Sequence, residues 1–187
     1  MNADTSGYRI ELAGVSLDLP LIGGTPSFYV LDLSGQAKLN RHFANALNMR
    51  AGKFDYHAIL TVEGKGIGLT QEMAREHGRY AVMRKTCPPY LQNPLVVGRI
   101  ASLTTQKMHD FYLGRDTADW LRGKSVLLVD DVLSTGGTAN AMLEMCKIIG
   151  AIPAAFAVVL TEGEAWSEYG GVPVVSLGHI PLPPMRV

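Results

Sequence analysis

The amino-acid sequence predicts an α/β fold with a central, mostly parallel sheet flanked by helices. Two observations carry this. An apolar run, a segment of helical spacing and a second apolar run follow one another at residues 56–62, 67–77 and 80–83, and the same succession returns at 125–129, 138–149 and 154–160. Short strands that are apolar throughout, rather than alternating, belong to sheets covered on both faces, and strand–helix–strand repeats join parallel neighbours.

Taken in order, Ile10, Leu12, Val15, Leu17 and Leu19 alternate with polar residues around Ala13-Gly14, which predicts an N-terminal hairpin. A short strand is expected over 28–33. Residues 36–50 place Leu39, Phe43, Ala46 and Leu47 at the three-and-four spacing of an amphipathic helix. In the first repeat Leu69, Met73 and Ala74 mark the helical face and Gly78 the stop; in the second, Met142, Met145, Cys146 and Ile149 mark the face and Gly150 the stop. Residues 86–113 hold Pro88, Pro89, Pro94 and Gly98, with weak strand signals at 95–100 and 110–113, and read as an excursion or lid. Asp116 is expected to cap a short helix ending at Leu121. Residues 178–184 read as an apolar, proline-rich tail. Neither internal repeats nor a linker divide the chain, so a single domain over 1–187 is expected.

Composition narrows the function classes. Seventeen Lys plus Arg balance seventeen Asp plus Glu, so no general field draws nucleic acid or an anionic membrane, and any anion site must be local. Cys87 and Cys146 match neither a metal-ligand spacing nor a secreted disulfide framework and are expected as reduced thiols. With no signal-like N-terminus and no run of about 18 apolar residues, the chain is expected in the cytoplasm, away from membranes.

Residues 126–138, VLLVDDVLSTGGT, carry the most chemical information. An apolar strand runs into Asp130 and Asp131, then into a hydroxyl-and-glycine turn and a helix start. Ligands of open parallel sheets sit beyond the carboxyl ends of the strands, which is where these residues fall. Gly136 and Gly137 let successive backbone N–H groups face one concavity, and the helix adds its positive end. Ser134, Thr135 and Thr138 can supply further donors to a phosphate. Two carboxylates beside a phosphate site need hydroxyl donors, a metal or developing positive charge, and a ribose phosphate with its diol meets that need. The competing reading is structural: the acids cap the helix and the glycines make a tight turn.

The whole segment resembles the phosphoribosyl pyrophosphate (PRPP) signature of type I phosphoribosyltransferases, nearest to the adenine phosphoribosyltransferase-like, purine-using members. The resemblance implies the type I fold, with a small hood from residues about 8–33 plus 176–187 and a flexible lid over about 86–113. It implies that Asp130 and Asp131 hold the ribose hydroxyls, one of them also serving in proton transfer, and that Ser134, Thr135, Gly136, Gly137 and Thr138 hold the 5′-phosphate.

A second turn, Glu63-Gly64-Lys65-Gly66, follows the first repeat's leading strand. In the family this turn binds pyrophosphate, with Arg often where Lys65 stands here. A dinucleotide fingerprint is disfavoured, because Gly64, Gly66 and Gly68 lack the third glycine spacing and Arg84 stands where an acid is wanted. Arg84-Lys85, ending the next strand, are likewise expected beside the pyrophosphate, and Lys107 at the lid tip is expected to reach a phosphate. Val132, Leu133 and Glu162 are expected around the base.

The resemblance further implies a Mg²⁺ cofactor held mainly through PRPP, with Asp130 and Asp131 as weak ligands, transfer of 5-phosphoribosyl to a purine with adenine favoured, and a homodimer. A PRPP-binding regulator without transfer activity is the alternative, but it calls for a nucleic-acid surface that neither charge nor a helix-turn-helix segment provides.

Overall fold

The computed structural model of the chain describes residues 7–23, 27–101 and 108–183. At the N-terminal end, β1 (Tyr8–Leu12) and β2 (Val15–Leu19) form an antiparallel hairpin closed by the pair Leu12 and Val15. Its two-residue loop puts both Ala13 (φ 50°) and Gly14 (φ 81°) at positive φ, as the turn that matches strand twist requires. The short strands β3 (Leu21–Ile22) and β4 (Phe28–Tyr29) pair antiparallel beside it.

Helix α1 (Ala37–Ala51) buries Asn40, Phe43, Ala44, Leu47 and Ala51, the stripe that a 3.6-residue period puts on one face. Asn40 is tolerated there because its Nδ2 donates to Leu33 O at 2.8 Å. Then come β5 (Ala58–Val62), α2 (Gly66–Met73), β6 (Ala81–Met83), β7 (Leu95–Ala101), β8 (Met108–Leu113) and α3 (Arg115–Leu121). They are followed by β9 (Ser125–Leu133), α4 (Gly137–Ile149), β10 (Ile152–Glu162), β11 (Glu168–Tyr169) and β12 (Val172–Ile180).

Six strands form one sheet in the order β11-β12-β10-β9-β5-β6. All its pairings are parallel except that of β11 with β12. One face packs against α4, α3 and the β7–β8 hairpin through Met142, Met145, Ile149, Leu121, Phe111 and Phe156. The other packs against α1, α2 and the N-terminal hairpin through Phe43, Leu47, Leu69, Met73, Leu12 and Leu19. Each such side chain, fully buried, contributes roughly 1.5–3 kcal/mol. The central, mostly parallel sheet flanked by helices is therefore the fold that the repeats predict. Both cysteines are free, and burial pushes the Cys146 thiol up to about 12.

Five expectations need correction. The strand expected over 28–33 is confined to Phe28–Tyr29, held by its pairing with Leu21–Ile22. Helix α2 ends at Met73 rather than near residue 77, because His77 N and Gly78 N turn back onto Ala74 O and Gly78 adopts φ 68°. Gly114, not Asp116, caps α3, and Asp116 lies in its first turn, where a negative charge suits the helix dipole. Strand β9 runs on to Leu133, so both acids are strand residues; β10 pairs with it along the whole extension. The tail beginning at Gly178 is the end of β12, a nine-residue strand inside the sheet.

Candidate active site

The pairing of β5 with β9 stops at Thr61 and Val129, whereas the β9–β10 ladder continues through Asp130, Val132 and Leu133. Beyond Val129 one edge of β9 is thus released. From β5 the chain builds outward to β6 on one side, and from β9 to β10 on the other. Carboxyl ends at such a reversal part to leave a crevice. Here it is a cavity of about 540 Å³, within the range of small-molecule sites. The turn after β5 and the turn after β9, each opening a helix, flank it.

Glu63, Gly64, Lys65 and Lys85 line the cavity on one side, and Ser134, Thr135, Gly136, Gly137 and Thr138 on the other, with Asp130 and Asp131 between them. Gly66 lies just behind: a Cβ on it would stand 3.2 Å from Asp130 Oδ1 and 3.3 Å from Asp130 Cα, tight enough that β9 would have to give by a few tenths of an ångström.

Asp131 is 8 % exposed. Lys65 Nζ stands 3.0 Å from its Oδ2 and donates to Leu31 O at 3.0 Å. The Lys65–Asp131 contact is an ion pair rather than an aligned hydrogen bond. Asp130 Oδ1 accepts from Asp131 N at 2.9 Å. Asp130 keeps some surface where it lines the cavity, but protein encloses it, and burial followed by the charge of Asp131 raises its carboxyl well above the usual range. Lys85 opposes this only in part.

Glu63 and Arg84 turn toward each other instead of standing side by side as anion ligands. Arg84 Nη1 lies 3.3 Å from Glu63 Oε1, and Lys85 N donates to Glu63 Oε2 at 2.9 Å. Glu63 thereby ties the β5 turn to the end of β6. Arg84 does not line the cavity, while Lys85 does.

The β9 turn has Gly136 at φ 82° as the N-cap of α4, and no side chain caps the helix, which leaves its first N–H groups without a side-chain partner. Two aromatic residues that motif reading missed hold this turn from behind. Trp166 Nε1 donates to Ser134 O at 3.2 Å, and Tyr169 OH to Gly136 O at 3.3 Å. Their only sequence signal is two aromatics in an otherwise polar stretch.

The remaining wall contains Phe28 and Tyr29 of β4, Val132 and Leu133, Leu182 and Glu162. Ser27 and Phe111 also line the cavity without having been expected there. Glu162 Oε1 is buried and has no hydrogen-bond partner among the described residues. Lys107 falls outside the described residues, as do neighbours 102–106.

Residues 30–176 match the family model described as "Phosphoribosyl transferase domain". The chain belongs to the phosphoribosyltransferase family. The chain is accordingly a phosphoribosyltransferase enzyme. Its relatives include an adenine phosphoribosyltransferase of Desulforamulus reducens, 30% identical over 155 residues that span 79% of this chain and 84% of the relative. Another, from Saccharopolyspora erythraea, is 34% identical over 154 residues, 81% and 80% of the two chains. A solved adenine phosphoribosyltransferase structure from Thermoanaerobacter pseudethanolicus shares the fold, with a TM-score of 0.68 at 20% identity over 86% of this chain and 95% of that one. No helix among the described residues is long and apolar enough to cross a membrane.

Proposed function

We propose that this phosphoribosyltransferase uses PRPP and a purine base, adenine first, to form the nucleoside 5′-monophosphate and pyrophosphate in purine salvage. The observation that carries the reading is the convergence of two helix-opening turns on the Asp130–Asp131 pair. That arrangement suits a molecule with a phosphate at each end and a diol between. The relatives named for adenine support the choice of base.

In this reading Ser134 to Thr138 hold the 5′-phosphate with backbone N–H groups and hydroxyls. Asp130 and Asp131 accept hydrogen bonds from the ribose hydroxyls. The turn of Glu63, Gly64, Lys65 and Gly66 receives the pyrophosphate, with Lys65 and Lys85 supplying positive charge and Arg84 acting through Glu63. A base nitrogen forms a bond to the anomeric carbon as the carbon–oxygen bond to pyrophosphate breaks. The bonding pair leaves with pyrophosphate, and Asp130 or Asp131 takes the proton that the base gives up. Val97, Phe111 and Leu113 anchor the β7–β8 hairpin in the core, so of the lid expected over 86–113 only the part beyond these anchors is proposed to close and keep water from the oxocarbenium-like centre.

Of the ranges expected as a hood, Ser27, Phe28, Tyr29 and Leu182 line the cavity, and these are the residues proposed to cover the base. Phe28 and Tyr29 face it from one side and Val132 and Leu133 from another, and Glu162 accepts a hydrogen bond from its amino edge. A buried acceptor with no partner favours a base that donates there and disfavours a 6-oxo group, which would bring a second acceptor.

Among the described residues no group of three or more His, Cys, Asp or Glu side chains could hold a metal. The carboxyl groups lining the cavity are those of Glu63, Asp130, Asp131 and Glu162, with Asp131 already paired with Lys65 and Glu63 with Arg84. This set suits Mg²⁺ arriving with the polyphosphate, since that ion keeps waters and prefers substrate phosphates to an all-protein cage. Bound there, Mg²⁺ would neutralise charge on the leaving pyrophosphate. The enzyme is proposed to work as a homodimer in the cytoplasm.

The test is pyrophosphate release on mixing the protein with Mg²⁺, PRPP and each of adenine, guanine, hypoxanthine, xanthine and orotate. Turnover is expected to be fastest with adenine. PRPP binding without turnover on any base would replace the enzyme reading by that of a sensor.

A further inference from the structure

We propose that Trp166 and Tyr169 are positioning residues that set the anion-binding geometry of the β9 turn; this rests on the reading of that turn as the 5′-phosphate site. Neither side chain lines the cavity. Both bind backbone carbonyls of the turn, and the two carbonyls, Ser134 O and Gly136 O, belong to alternate residues. In a planar trans peptide the N–H of the next residue points opposite to the C=O. Drawing Ser134 O and Gly136 O toward the aromatic pair therefore turns the N–H groups of Thr135 and Gly137 the other way, toward the cavity.

The brace is itself fixed. Trp166 and Tyr169 pack edge to face at 5.1 Å, and Tyr169 meets Phe156 of β10 edge-on at 6.0 Å. Tyr169 OH also lies 3.1 Å from the side-chain amide of Asn140 in the first turn of α4; its single hydrogen goes to Gly136 O when that amide presents its Nδ2 to the hydroxyl. A methyl group at Gly136 would overlap the Tyr169 ring and hydroxyl, so the glycine answers to this contact as well as to its positive φ. The connection between β10 and β12 thus forms the outer wall of the turn, and its two aromatic donors give the backbone there one orientation.

The test separates positioning from mere stability. Tyr169→Phe removes a donor and keeps the ring, and Trp166→Phe removes a donor and keeps a smaller aromatic ring. Each is expected to raise KM for PRPP roughly fivefold, the scale of one hydrogen bond, with kcat and KM for the base nearly unchanged. A fall in Tm with no change in KM for PRPP would overturn the proposal. A second measurement needs no turnover and leaves the brace intact. In Trp120→Phe protein the sole tryptophan is Trp166, and its emission should change on titration with ribose 5-phosphate. An unchanged emission, with binding proved by calorimetry, would also overturn it. If ribose 5-phosphate does not bind at all, the phosphate-site reading itself fails, a result distinct from either.

Discussion

Asp130 lines the cavity with a carboxyl that burial, and then the neighbouring charge of Asp131, raises above its ordinary value. In the unfolded chain this group loses its proton in the usual aspartate range, whereas the native protein holds it to higher pH. Across that window the native state binds more protons than the unfolded one, so stability falls as pH rises through it. Asp130→Asn removes the titration and keeps an oxygen for Asp131 N. Thermal denaturation should show the variant more stable than the parent at pH 8 by on the order of 1–3 kcal/mol, with the gap closing toward pH 4. The double variant with Asp131→Asn should lose at least about a hundredfold in turnover, the scale for preorganised charges. A gap that is constant with pH would mean that Asp130 is already ionised without strain. The acids and the turn beyond them were legible because strand end, glycines and helix start lie within thirteen consecutive residues. Trp166 and Tyr169 were not, since their partners lie 32 and 33 positions away in a connection without periodicity.

Between elements, the approach of α2 to β9 depends on one hydrogen atom. A Cβ at Gly66 would stand 3.3 Å from Asp130 Cα and 3.4 Å from Asp131 N, both backbone atoms of a strand that β10 pins. Replacing a helical glycine by alanine is ordinarily worth up to about 1 kcal/mol, but here two of the neighbours are backbone atoms of a strand paired with β10, so overpacking of about 1–3 kcal/mol should outweigh that gain. Gly66→Ala is expected to lower Tm by roughly 2–4 °C and to weaken PRPP binding. Gly64→Ala serves as the control, because the nearest atom to its Cβ is Lys85 Nζ, the end of a flexible side chain, at 3.8 Å. Equal losses for the two would show that the turn, not the close approach, is what matters. The repeats made the parallel strands and α4 readable within a few residues of their ends. Strand β12 escaped because Pro173 and Gly178 punctuate it, yet Gly178 is there to let Leu12 of the N-terminal hairpin pack onto the sheet. A packing glycine and a turn glycine look alike until the partner surface is known.

At the scale of the molecule the charge balance is even, seventeen cations against seventeen anions, so no long-range field gathers a polyanion such as PRPP. Binding must come from the cavity alone, and the cations lining it are Lys65 and Lys85, the first already shared with Asp131. These two ammonium groups share the cavity with the carboxyl groups of Glu63, Asp130, Asp131 and Glu162, which leaves no surplus of positive charge for a pyrophosphate, and this is the physical case for an ion that enters with the substrate. At about a hundred times its dissociation constant a ligand adds about 2.7 kcal/mol to stability, which for a chain of this length corresponds to a rise in Tm of roughly 5–10 °C. PRPP with Mg²⁺ should produce such a rise, and PRPP at the same concentration with a chelator a rise of at most about half that size. An equal rise in both conditions would assign the neutralising role to Lys65 and Lys85 and remove the metal from ground-state binding.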